Sequence, residues 1–237
     1  MVDVRLQPED LTDHYNAAMI EIDGSGILSP ARARRLIKLP NLRRIVTHAG
    51  CKVTRAALEV IAAHSSLEAL EIWTLKDRGR LEPLTNASAL KSFNCNFCLT
   101  ASDIFAIAQA PQLEWLCAQG AAFDCRTARA LAVAPNPKYL DLEGANTVTD
   151  DSIAILARSH SLEELLICGA RLSAKGLSVL VGMKQLKKLD LWATGVMAAD
   201  LNFLHELPNL EWVSIGGEWG GPDYEAEVAL DILERHP

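Results

Sequence analysis

The chain has 237 residues, 49% of them hydrophobic and 5% aromatic, and a formal charge of −7. That is enough apolar material for a continuous core, while the acid excess argues against nucleic acid as a partner, because phosphate binding needs a basic stripe. No uncharged apolar run reaches the ~18 residues of a membrane span, and the charged opening MVDVRLQPEDLTDHY lacks the apolar stretch of a signal peptide, so a cytoplasmic chain without membrane contact is expected.

Taken in chain order, residues 1–16 read as an N-terminal cap, 17–223 as an array of repeats and 224–237 as a C-terminal capping helix. The sharpest unit is LEELLICGA from Leu162, which keeps the apolar spacing L-x-x-L-x-L with Ile167 in the last place. LEALEIWTL from Leu67, LKSFNCNFC from Leu90, LEWLCAQGA from Leu113 and LKKLDLWAT from Leu186 repeat it, and looser copies begin at Ala17, Leu42, Pro137 and Leu210. The nine starts are separated by 25, 25, 23, 23, 24, 25, 24 and 24 residues. Within each copy the fourth and sixth positions are mostly apolar and the third, fifth and seventh vary, which is the period-two alternation of a strand with one buried face.

Between strands the pattern turns helical in most repeats. The segments open at Thr54, Thr100, Thr127, Thr149 and Ser173, each a candidate N-cap whose hydroxyl accepts a free backbone N–H. Apolar pairs at helical spacing follow, such as Leu58 with Ile61 and Ile153 with Leu156. LEPLTNAS, from Leu81, is too short and Pro-interrupted for a regular helix. At the end, YEAEVALDILERH sets Val228, Leu230, Ile232 and Leu233 among charges, as a helix closing the last repeat would.

A period of 23–25 residues headed by L-x-x-L-x-L is the leucine-rich repeat pattern. The stretch TVTDDSIAILARSHSLEELLICG resembles the cysteine-containing and ribonuclease-inhibitor-like classes of that repeat. The resemblance implies an α/β solenoid: an arc of about nine repeats, with a parallel sheet on the concave face and helices on most of the convex one.

On that expectation the third, fifth and seventh positions of every strand face the concavity. They include Trp73, Trp115, Trp192 and Trp212, four of the five tryptophans, together with Tyr139. Glu71, Asp141, Glu143, Glu164 and Asp190 share the surface, against Arg44 and Lys188. Tryptophan on a solvated sheet is best explained by a partner that covers it, although cross-strand aromatic packing would also place it there. These ten residues are the candidate partner-binding set.

Catalytic chemistry finds no such convergence. The six cysteines, at 51, 95, 98, 117, 125 and 168, have no disulfide framework spacing, so reduced thiols are expected. Cys95 and Cys98 form a C-x-x-C, but no second pair stands at zinc-ligand spacing and Cys95 falls at a core position. Cys117 and Cys168 are expected to be exposed on the sheet, without a histidine base nearby. SIGGEWGGPD lacks the lysine of a phosphate-binding loop. The expectation is no catalytic residue, no metal and no cofactor: a binding protein rather than an enzyme. By resemblance to ribonuclease inhibitors, the acidic concavity implies an inhibitor or immunity-type protein, monomeric when unbound, that neutralises a basic protein. An adaptor that selects a client for a separate ligase or signalling complex is the alternative, and a self-associating structural protein is a second.

Overall fold

The computed structural model describes residues 3–6, 18–76, 81–95, 99–145, 147–196 and 198–216. The expected capping helix at 224–237, like Cys98 and Trp219, lies outside the described residues. The chain divides into two compact units, Met1–Leu116 and Cys117–Pro237.

In the first unit, strands β1 (Asp3–Leu6), β2 (Met19–Ile22), β4 (Arg44–Val53), β5 (Ala69–Leu75) and β6 (Ser92–Asn94) lie side by side in that order, and β3 (Gly26–Leu28) pairs with the far end of β4. Every pairing between these strands is parallel. The expected cap at 1–16 thus contributes a strand, β1, whose Asp3 pairs with Met19. The register joins equivalent repeat positions: Met19 pairs with Arg44, Arg44 with Ala69, and Ala69 with Ser92. The ladder continues where the Trp115 N–H donates to the Lys91 carbonyl at 2.9 Å; Trp115 begins β7 (Trp115–Cys117).

Helices α1 (Pro30–Leu36), α2 (Arg55–Ala62) and α3 (Ala101–Ile107) and a 3-10 segment, Glu82–Asn86, return the chain between strands. Pro83 stands in the first turn of the 3-10 segment, where its missing N–H leaves no helical bond unmade. Thr54 and Thr100 cap α2 and α3 as expected; Asp103 closes a reciprocal box with Thr100. Ser29 caps α1, with Pro30 in its first turn, where a missing N–H costs nothing.

The second unit repeats the plan with shorter strands: β8 (Tyr139–Asp141), β9 (Glu164–Leu166), β10 (Lys188–Asp190) and β11 (Trp212–Ser214), all parallel in that order. Tyr139, Glu164, Lys188 and Trp212 form one continuous row across it. Helices α4 (Cys125–Val133), α5 (Asp150–Leu156) and α6 (Ala174–Ser178), and 3-10 segments Val179–Gly182 and Ala198–Glu206, make the return. Thr149 and Ser173 are N-caps as expected. Thr127 is not. The helix starts three residues earlier, at Asp124, whose carboxylate accepts from the N–H groups of both Arg126 and Thr127, while the Thr127 hydroxyl accepts from the Asp124 N–H. An ionised carboxylate at the positive end of a helix is the stronger cap.

Leucines at the first, fourth and sixth positions fill the space between sheet and helices: Leu140, Leu142, Leu165, Leu189 and Leu191 are buried in the second unit, and Ile20, Ile45, Leu70, Ile72 and Phe93 in the first. Burying each such side chain is worth about 1.5–3 kcal/mol, and the stack repeats that gain at every strand. The second position, on the other hand, faces solvent and alternates in sign along the chain: Arg43, Glu68, Lys91, Glu114, then Lys138, Glu163, Lys187, Glu211. Glu68 is bonded by Arg43 and Lys91, and Glu163 by Lys187. A one-strand slip would set like charges side by side, so this row favours the observed register.

Candidate functional site

Each unit presents a sheet face opposite its helices, and the ten expected residues lie on these two faces. On the first, Glu71 of β5 organises its neighbours. One carboxylate oxygen accepts the Trp73 indole N–H at 3.0 Å, and the other lies 3.5 Å from the Arg44 guanidinium. Trp73 is half-buried and tilted against the His48 ring, with centroids 6.5 Å apart. His48 in turn lies 3.4 Å from Asp23 and 3.6 Å from Glu21. Acids and bases on this face are therefore largely matched.

Trp115 differs from Trp73 in keeping 43% of its surface exposed. It borders a notch of about 290 Å³, floored by Ala69 and Ser92, with Arg44 and Glu71 on its walls. Asn94 also lines this notch, and its side-chain oxygen is buried without a hydrogen-bond partner. A buried acceptor left unpaired costs free energy that a donor from outside would recover.

The second face is organised by carboxylates. Asp141 is only 3% exposed. It accepts from the Gln119 amide at 2.9 Å, the Glu143 backbone N–H at 2.9 Å and the Cys117 thiol at 3.5 Å. Gln119 also donates to Glu143 at 3.0 Å, and so bridges the two acids. Asp190 accepts the Trp192 backbone N–H at 3.0 Å. Burial and the nearby charges of Asp141 and Asp190 push the Glu143 carboxyl above its ordinary value. The same causes raise the Tyr139 hydroxyl, through burial first and then Asp141. Glu164 alone of this group is paired with a cation, Lys188, at 3.2 Å. Trp212 is 44% exposed at the end of the Tyr139 row, and Trp192 is half-buried.

Two expectations need correction. Cys117 and Cys168 are not exposed; each retains 7% of its surface. A thiol is short, and carboxylates of adjacent strands close over it: Cys117 donates to Asp141, and Cys168 lies against Asp190, its thiol raised by burial and by that acid. Such thiols are poor nucleophiles. Asp141 likewise belongs to the buried framework rather than to the open surface. Strand alternation says which face a side chain leaves from, but not how far its neighbours cover it. Sequence reading also passed over Gln119 and Asn94, the amides that sit among the charges; their sheet-facing positions were the available signal.

Parallel strands at 23–25 residue intervals, each entered through an exact or looser copy of L-x-x-L-x-L and returned by a helix or 3-10 segment, define this as a leucine-rich repeat fold. Solved structures of such proteins superpose on it. An internalin, InlF, from Listeria monocytogenes matches with a TM-score of 0.51 and 16% identity over 84% of this chain and 67% of its own. A chain of the Rad7 and Elc1 complex in yeast matches with a TM-score of 0.54 and 15% identity over 91% and 69%. At that identity the likeness defines the fold. No protein-family model and no curated protein matches the sequence.

Proposed function

We propose that the chain is a protein-binding module whose sheet faces receive a basic partner surface, and that it acts as an inhibitor or immunity-type protein by covering that surface. The observation that carries this reading is the carboxylate group of Asp141, Glu143 and Asp190: the three lie close enough to raise Glu143, and no cation among the described residues pairs with any of them. A lysine or arginine from a partner would neutralise a charge excess the chain leaves uncompensated. Trp115 and Trp212, the two indoles over two-fifths exposed among the described residues, supply apolar anchors of the kind that dominate interface energies.

The test begins with affinity purification of the partner from the native host. Trp115→Ala and Trp212→Ala should each weaken binding of that partner by about 2 kcal/mol, and Asp190→Asn should mainly slow association and flatten its salt dependence. Charge reversal on the helices, as in Glu59→Lys or Asp151→Lys, should leave binding unchanged. The reading fails if the helix reversals abolish binding and the tryptophan changes do not. Loss of the partner's own activity on binding separates an inhibitor from an adaptor. The adaptor reading draws its support from the yeast Rad7 and Elc1 complex, a similar fold found with another protein. Gel filtration of the pure chain addresses self-association.

A further inference from the structure

The helix side of the second unit carries a groove of about 660 Å³ at the C-terminal ends of α4 and α5, and its chemistry is opposite to that of the sheet face. Every ionisable residue lining it is basic: Arg129, Arg158 and His160. None of the three forms an ion pair or side-chain hydrogen bond with a described residue, whereas Lys187 and Lys188 of the same unit are both paired. In a chain of net charge −7, two unopposed arginines beside a histidine in one groove mark charge segregation.

A second observation is independent of charge. Val133, at the end of α4, keeps 76% of its surface in solvent, far above Ile27, Trp115 and Trp212, the other large apolar side chains exposed among the described residues. It lines the same groove together with Pro135 and Ile155. Exposed apolar surface beside unpaired charge is the composition of an interface, with an anchor to bury and a charged rim to orient it.

We infer that this groove docks an acidic peptide segment of a partner protein, with an aliphatic or aromatic residue against Val133 and Ile155 and flanking carboxylates on Arg129, Arg158 and His160. A small free anion would leave the apolar lining uncovered. A nucleic acid strand needs a longer cationic track and a platform of large aromatics, and among the described residues no Phe, Tyr or Trp lines the groove. The inference stands apart from the sheet-face reading, since it uses none of the same residues.

The experiment selects a displayed random peptide library on the whole chain and counter-selects it on the double variant Arg129→Glu, Arg158→Glu. Enriched peptides should carry Asp or Glu around an aliphatic or aromatic residue. A selected peptide, made synthetically, should lose about tenfold or more in affinity on the double variant and on Val133→Asp. All three positions are exposed or at a helix end, and circular dichroism checks that the variants fold. Trp115→Ala and Trp212→Ala should not change this binding, so failure here and failure of the sheet-face reading are separable. The inference is overturned if no groove-dependent sequences enrich, if the enriched acids need no apolar neighbour and are displaced by inorganic phosphate, or if a single-stranded oligonucleotide occupies the groove more tightly than any peptide.

Discussion

In the Met1–Leu116 unit two strands run on past the repeat's seventh position, with β4 spanning 10 residues and β5 seven, while in the Cys117–Pro237 unit β8 to β11 have three residues each. The difference lies in the eighth position of the repeat. The second unit puts Gly120, Gly144 and Gly169 there, all with φ between 64° and 75°. That left-handed conformation turns the chain out of the sheet, and glycine adopts it without a Cβ penalty. The first unit has Ala49 and Thr74 at the same position, and both stay within extended strands. β4 then absorbs its extra length through a register shift between Thr47 and Lys52. The buried Thr47 hydroxyl serves that irregularity, donating to the Glu71 carbonyl at 3.3 Å and accepting from the Trp73 N–H at 3.4 Å. Where glycine stands at the eighth position, Gly24 of the first unit at φ 87° included, the chain turns out of the sheet, whereas Ala49 and Thr74 continue the strand.

The largest expected effect comes from a β-branched residue placed in the glycine turn. Gly169→Val has open space for a side chain, so its whole cost is the backbone conformation, about 2 kcal/mol. Thr74→Gly, in the extended strand of the other unit, should cost about 1 kcal/mol, from weakened strand preference and loss of the exposed bond that the Thr74 hydroxyl donates to the Ala49 carbonyl at 3.3 Å. Urea unfolding followed by tryptophan fluorescence compares the two. Equal losses would mean that the eighth position does not separate the units.

A smaller effect distinguishes the charge balance of the two faces, because the same chemical change should have opposite signs. Glu71→Gln removes the carboxylate that serves both Trp73 and Arg44 and should destabilise by about 1 kcal/mol. Glu143→Gln removes a charge crowded by Asp141 and Asp190 and should stabilise at neutral pH, by about 0.5 kcal/mol once solvent screening is allowed for. The raised Glu143 carboxyl helps the fold most below its ordinary value, and that contribution is lost as pH rises through the raised one. The advantage of Glu143→Gln over the native chain should therefore shrink in acid. An advantage that grows in acid would reverse the sign assigned to Glu143.

Much of this architecture was legible in the sequence because the repeat signal is redundant. All nine expected strands begin at the third position of their unit, from Met19 to Trp212. Hydroxyl caps found four of the helix starts, at Thr54, Thr100, Thr149 and Ser173, because a single side chain bonding a single N–H is a local event. Less local features escaped. The length of β4 depends on pairing with β3, and the burial of Cys117, Asp141 and Cys168 depends on side chains of adjacent strands. At the candidate site, alternation identified the face but not which indoles were held. Trp73 is tied to Glu71, while Trp115 and Trp212 stay open.

The smallest expected effect tests the turn rule from the other side. Ala193 occupies the eighth position of its repeat at φ 56°, a non-glycine residue in the conformation that glycines adopt in the three preceding repeats. Its N–H still donates to the Gly216 carbonyl at 3.2 Å, the counterpart of Gly169 donating to Trp192 at 2.8 Å and Gly144 to Cys168 at 3.0 Å. The ladder thus holds the alanine in place against a Cβ clash of about 1–2 kcal/mol. Ala193→Gly removes the clash but loosens the unfolded chain, which takes back about 0.4–1 kcal/mol. The balance should be a gain of about 0.5 kcal/mol, read as a higher urea midpoint at unchanged slope. A lower midpoint would mean that the alanine is unstrained there, and that the left-handed turn owes less to glycine than Gly120, Gly144 and Gly169 suggest.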